Sequence, residues 1–162
     1  KANILPINYL RVLYLPNVGL SWNLNSTLNQ VSWYGKGPFE TYPDRKTGAR
    51  TAVFHSTAED QYFPYVIPQE NGNKTNVRWA KLSDQETGIE LISNGLFNFC
   101  TSSFTNLPES QYTFQLQKGE HTILNTDYRV SGVGTKSIPA LPHYNVQPGQ
   151  FQYEFIIKPY KK

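Results

Sequence analysis

The sequence predicts an all-β fold, an antiparallel β-sandwich, on three observations. Three Trp, eleven Tyr and nine Phe make up 14% of the 162 residues. Such side chains, like β-branched ones, pack well across a pleated surface and favour strands. The apolar segments are short and alternate with period two, and helical periodicity is nearly absent. Eleven Pro and eleven Gly supply the turns between segments.

The strand candidates follow in chain order. Val12-Leu13-Tyr14-Leu15 stops at Pro16-Asn17, and Gly19 to Leu24 alternates one face against the other. Gln30 to Tyr34 ends at Gly35, and Ala49 to His55 is the next candidate. Asn76 to Leu82 alternates and stops at Ser83-Asp84; Ile89 to Asn94 follows the turn at Thr87-Gly88. Leu96 to Ser103, Tyr112 to Leu116, His121 to Tyr128 and Gln150 to Lys158 complete a set of about ten strands, the spacing of a sandwich. No internal repeat or interdomain linker interrupts it, so residues 1–162 are expected to form one domain. The sequence lacks methionine, so Lys1 is expected to follow a cleavage or a truncation.

Charge and special residues narrow the chemistry. A net charge of +3 without a basic block argues against a nucleic-acid partner, and no apolar run reaches the ~18 residues of a membrane helix. Cys100 lies in the apolar run Leu96 to Cys100 and reads as a small core residue. His55, His121 and His143 are too dispersed for a metal site. No phosphate loop, dinucleotide fingerprint or local Ser-His-Asp signature is present.

Two loops stand outside the strand pattern, and long ordered loops on a β scaffold are where sites are built. The first, Gly35 to Arg45, holds Gly37, Glu40, Asp44 and Arg45; the second, Tyr62 to Thr75, holds Glu70 and Asn71. A glycosidase needs two carboxylates about 5 Å or about 6.5–9.5 Å apart, and spacing alone cannot pair these. Asp44 and Arg45 read first as braces of their loop, and Gln69 to Asn73 reads first as a turn rather than a set of sugar-hydroxyl partners. Arg78 and Trp79 must face opposite sides of a strand. Trp33 and Trp79 are expected in the core rather than stacked on a sugar.

Trp33-Tyr34-Gly35-Lys36-Gly37-Pro38-Phe39-Glu40-Thr41-Tyr42-Pro43-Asp44-Arg45 resembles the W-x-G-x-G-P-x-E-N-Y-x-D-R signature of the small-chain domain of family-2 β-galactosidases. Tyr65 to Asn73 followed by Val77-Arg78-Trp79 resembles its second signature, and Leu15-Pro16-Asn17-Val18-Gly19 its L-P-R-x-G strand. Asp127-Tyr128, Gly132-Val133-Gly134 and Pro142-His143-Tyr144 resemble its C-terminal end. The resemblance implies the C-terminal part of a galactose-mutarotase-like supersandwich, truncated on its N-terminal side. It implies a β-galactosidase hydrolysing terminal β-D-galactosyl residues, with both catalytic glutamates on a separate TIM-barrel domain or large subunit. By that resemblance no catalytic residue and no cofactor falls in this chain, and any Mg or Na requirement belongs to other domains. The full enzyme is expected to be an oligomer of the bacterial cytoplasm or periplasm, with no membrane partner.

The resemblance implies that the first signature loop lies beside the galactosyl site, with Gly37 and Glu40 its foremost neighbours, and Asp44, Arg45, Glu70, Asn71, Arg78 and Ile138 are expected to be substrate-proximal as well. Many relatives carry Trp in a D-x-S-W context where this chain reads Gly134 to Pro139, with Ile138 in its place and no aromatic face to offer. A freestanding carbohydrate-binding module is the competing function, and a mutarotase acting on free sugars is a third.

Overall fold

The computed structural model describes residues 2–4, 14–135 and 138–162, with residues 2–4 as backbone only. Among the described residues nine strands are present: β1 (Ala2–Ile4), β2 (Asn17–Asn25), β3 (Gln30–Gly37), β4 (Arg50–Thr57), β5 (Lys74–Ser83), β6 (Thr87–Phe104), β7 (Lys118–Val130), β8 (Gly149–Phe151) and β9 (Phe155–Lys161). Every pairing is antiparallel. The large sheet runs β2-β7-β6-β5-β3-β4, and β1 pairs with β8 apart from it. Among the described residues the only helical segments are single 3-10 turns, and none is long and apolar enough to cross a membrane. The all-β sandwich expected from the aromatic-rich alternation is the architecture found.

β6 organises this sheet. One of its edges pairs with β5 along most of its length, while the other is shared: Thr87 to Ser93 pair with β9 and Asn98 to Phe104 with β7. The sheet therefore forks around one long strand. Asn94-Gly95 looked like a break between two strands. Gly95 does adopt a φ of 126°, but the four residues 93–96 only drop out of the β5 register as a bulge while both halves stay paired to β5.

Alternation sets the faces. Val31 and Trp33 of β3, Ala80 and Leu82 of β5, Leu91, Phe97 and Phe99 of β6, Phe54 of β4 and Leu124 of β7 form one buried cluster. Trp33 lies 5.2 Å from Phe54 and 5.9 Å edge-on from Phe99, ring centre to ring centre. Glycine at 35 and 37 lets neighbouring chains close on this cluster: a Cβ would come within 2.8 Å of Val77 at the first and 2.9 Å of Phe54 at the second.

Three expectations are corrected. Tyr112 to Leu116 is not a strand, since Thr113–Gln115 form a 3-10 turn. The Gln115 carboxamide accepts the N–H groups of Gln111 and Tyr112 at 2.8 and 3.0 Å, so a side chain replaces the partner strand. Gln150 to Lys158 breaks at residues 152–154 into β8 and β9. Of Val12 to Leu15, the first two lie outside the described residues, and Leu15 makes only an isolated bridge to Val146.

Candidate functional site

The loop after β3 (residues 38–49) and the loop before β5 (residues 62–73) are bound side by side through their backbones. Thr41 N donates to Asn73 O at 2.7 Å, and Asn73 Nδ2 returns a bond to Thr41 O at 2.8 Å. Thr75 N donates to Thr41 Oγ1 at 2.9 Å. Thr41, Asn73 and Thr75 are all buried, so these bonds satisfy groups that would otherwise be costly to desolvate.

Glu40 fastens the same two loops by charge. Its side chain is 8% exposed, and Arg45 Nη2 lies 3.7 Å from Oε1. Gly72 N donates to Oε2 at 2.8 Å, and the Tyr65 hydroxyl donates to Oε1. Burial, then the bond to Glu40, pushes the Tyr65 hydroxyl up to about 12. Gly72 has a φ of +79°, and a Cβ there would lie 2.7 Å from Gln61 O, so glycine is required where the second loop passes Glu40. The Arg45 guanidinium lies over two rings, 5.3 Å from Tyr42 and 5.5 Å from Tyr65. Its Nε and Nη2 are buried without a hydrogen-bond acceptor.

Beneath the loops is a buried polar layer. Tyr42 is fully buried and donates to Glu70 Oε1 at 3.4 Å. Its hydroxyl is held well above the ordinary tyrosine range by burial and then by the Glu70 charge. Glu70 keeps open surface, yet protein crowds its carboxyl, and that desolvation raises its pKa. Lys74 is buried, donates to Gly72 O at 2.8 Å and sits 5.3 Å over the Trp33 ring. Desolvation brings its ammonium down to about 8. Asp127, on β7, is buried and accepts from Asn17 Nδ2 at 3.1 Å; burial and then Glu70 push its carboxyl up to about 7. Burial likewise raises the Cys100 thiol, which makes it an inert packing group rather than a nucleophile.

A third segment joins through Asp44. Its two carboxylate oxygens accept the N–H groups of Val133 at 3.2 Å and Gly134 at 2.8 Å. This draws the segment after β7 against the first loop. Ile138 in that segment is 68% exposed, and its N–H donates to Thr135 Oγ1 at 2.9 Å. Residues 136 and 137 lie outside those described.

The structure thus brings together Gly37, Glu40, Asp44, Arg45, Glu70, Asn71 and the Ile138 segment. Asn71 is spent within its own loop, accepting from Phe63 N at 3.1 Å and donating to Gln69 O at 2.8 Å. Arg78 is placed differently: it is exposed on β5 with its guanidinium 4.7 Å over Tyr34. Trp79 also departs from expectation, being only part-buried beside Arg78 while Trp33 fills the core. Sequence reasoning marked Gly72 only as a turn residue and did not single out Tyr65 or Lys74. A lysine on a strand ordinarily signals solvent, and no local pattern marks one that is buried. Among the described residues, no group of three or more His, Cys, Asp or Glu is placed to hold a metal ion.

The arrangement is a rigid platform. Glu40, Asp44 and Asn71 are taken up in holding loops, while Phe39, 76% exposed at the apex, together with Val66 and Ile67, faces outward. The family described as "Beta galactosidase small chain" matches residues 2–157. A "Beta-galactosidase" of Priestia megaterium is 34% identical over 124 residues, covering 74% of this chain and 12% of the relative. One from Halalkalibacterium halodurans is 38% identical over 124 residues, with the same coverage. One from Vibrio cholerae is 31% identical over 149 residues, covering 89% of this chain and 14% of the relative. The chain therefore spans about an eighth to a seventh of the length of these relatives. Since the family match runs through all three braced segments, the chain belongs to the β-galactosidase small-chain family.

Proposed function

We propose that this chain is a domain of a β-galactosidase that hydrolyses terminal β-D-galactosyl residues. In this reading its loops 38–49 and 62–73 stand beside the active site of a separate TIM-barrel domain. The observation that carries the reading is the triple fastening of Glu40 by Gly72, Tyr65 and Arg45. It spends a carboxylate on shape rather than on chemistry, as a wall contributed to someone else's pocket requires. A catalytic pair must exchange protons with substrate. Glu40 is occupied on both oxygens, which supports assigning the catalytic glutamates to the barrel. No cofactor is assigned to this chain.

The chain supplies positioning. Loops fixed by buried hydrogen bonds hold Phe39 and the Ile138 segment in one place at no cost at the moment of binding. The test is hydrolysis of an aryl β-D-galactoside by the parent polypeptide and by the purified chain. The parent is expected to turn over and the chain to show no activity. Robust hydrolysis by the chain alone would overturn the reading.

A freestanding carbohydrate-binding module is the second reading. It is favoured by Tyr112 and Phe114, whose rings are exposed and stacked 5.5 Å apart at 7°. Galactoside binding by the isolated chain, abolished by Phe114→Ala, would support that alternative.

A further inference from the structure

A cleft of about 470 Å³ opens beside the first loop, where two strands lose register together. β5 slips between Lys74 and Val77, and residues 93–96 of β6 drop out of the same ladder. The pair Val77–Phe97 lies between the two slips. Pro43 of the loop, Phe97 of β6 and Val130 of β7 give the cleft an apolar lining, the last two buried. Its polar lining comes from Lys46, Asn76, Asn98 and Arg129.

The charge in it is all of one sign. All 12 Asp and Glu of the chain lie among the described residues, and none lines the cleft. Among the described residues, Lys46 and Arg129 take part in no ion pair. The Arg129 guanidinium is held 5.1 Å over the Tyr128 ring, and Tyr128 in turn stacks on Tyr153 at 5.6 Å. The Lys46 ammonium and the Asn76 amide have no hydrogen-bond partner among the described residues. Asn98 spends its amide nitrogen on Asp127 O at 3.2 Å and keeps its oxygen. Asn76 also has a φ of +56°. Glycine would adopt this left-handed backbone without strain, so a side chain is kept there at a conformational cost.

We infer that this cleft binds an acidic sugar, a hexose-sized ring carrying a phosphate or a carboxylate. Lys46 and Arg129 come from separate segments and supply the charge for the oxyanion, which a guanidinium grips with two parallel N–H donors. The Asn76 amide and the Asn98 oxygen offer both donors and acceptors to ring hydroxyls. The apolar lining suits the C–H face of the ring. Small-molecule pockets run about 300–1,000 Å³, so the cleft exceeds what a bare oxyanion needs and has room for a ring. A neutral sugar would leave the two cations unexplained, whereas a cleft lined by one sign of charge concentrates ligands of the other. The inference does not depend on the galactosidase reading, and it adds a ligand of a different charge.

The test is isothermal titration calorimetry on the full-length parent with galactose 6-phosphate, glucuronate, galactose and inorganic phosphate. Saturating isopropyl thiogalactoside is present throughout, so that any galactosyl pocket in the parent is already filled. At least one acidic sugar is expected to bind with a Kd of about 1 mM or tighter, and about tenfold tighter than galactose or inorganic phosphate. Which acidic sugar binds names the oxyanion. Lys46→Gln and Arg129→Gln are each expected to weaken binding about fivefold, and so is raising NaCl from about 50 to about 500 mM, a check that needs no variant. Acidic sugars that bind no better than galactose overturn the site. Inorganic phosphate binding as tightly as the sugar phosphate overturns it too, since the ring then adds nothing. Unchanged affinity in a folded Lys46→Gln, Arg129→Gln double variant places the ligand elsewhere and has the same effect. Galactosidase assays on the same samples keep the two claims apart: an inactive parent that binds an acidic sugar through these residues removes the glycosidase reading alone.

Discussion

Gly72 donates its backbone N–H to Glu40 Oε2 at 2.8 Å, across 32 residues of sequence, and so closes one signature loop on the other. Bonds to a charged acceptor contribute roughly 1.5–3 kcal/mol. Glu40→Ala also strips Arg45 of its counter-charge and Tyr65 of its acceptor. We expect Tm to fall by about 3–12 °C, at ~2–4 °C per kcal/mol for a domain of this size, in thermal unfolding of the purified protein. An unchanged Tm would mean that the loops are held without Glu40.

Asp44 should be necessary for the order of the segment after β7. Asp44→Ala removes both acceptors from Val133 and Gly134. Hydrogen exchange at those two amides is expected to speed at least tenfold, while amides of the β5–β6 ladder keep their protection. Equal acceleration in both places would indicate general destabilisation instead.

The buried layer predicts an unusual dependence of stability on pH. Asp127 is raised to about 7, so the folded state holds a proton that the unfolded chain releases near the ordinary carboxylate value. That contribution is fully present below about pH 4 and is lost as pH rises to about 7. Lys74 is lowered to about 8, so its contribution is unfavourable below pH 8 and is relieved between about 8 and 10.5. Together they place a minimum near pH 7–8. Urea unfolding across pH 4–10 should show Asp127→Asn flattening the acid limb by a few kcal/mol. A difference curve independent of pH would contradict the assignment.

Gly37→Ala tests how tightly the first loop is seated. A Cβ there would lie 2.9 Å from the Phe54 ring and 3.0 Å from Trp33. Overpacking of this kind costs about 1–3 kcal/mol, so the urea midpoint should fall with the m-value unchanged. A neutral substitution would mean that the strand end shifts freely.

The sheet was legible because alternation and turn residues are local signals. β2 to β5 and β7 were each anticipated within a few residues, and Trp33, placed in the core by its alternating strand, lies there. The break expected at Asn94-Gly95 failed because cross-strand pairing to β5 spans the bulge, a non-local fact. Tyr112 to Leu116 alternates like a strand but is claimed by the Gln115 carboxamide. Both loops were visible from their prolines, glycines and amides, and the family resemblance joined them. Their interlock was not visible: the partners of Glu40 lie 5, 25 and 32 residues away, at Arg45, Tyr65 and Gly72. Buried Lys74 carries no sequence mark, and the Asp127 carboxyl is raised first by burial and then by Glu70, both of which depend on distant segments.

The central claim is that these fastened loops present a surface to a galactoside in the parent enzyme. Phe39 is its most direct probe, because its ring is exposed at the loop apex and its loss should not disturb the fold. In the full-length enzyme, Phe39→Ala is expected to lower kcat/KM for an aryl β-D-galactoside roughly tenfold, equivalent to ~1.4 kcal/mol of transition-state binding, with Tm within about 1 °C of the parent. Unchanged kcat/KM at unchanged Tm would contradict the claim and remove the loops from the sugar site.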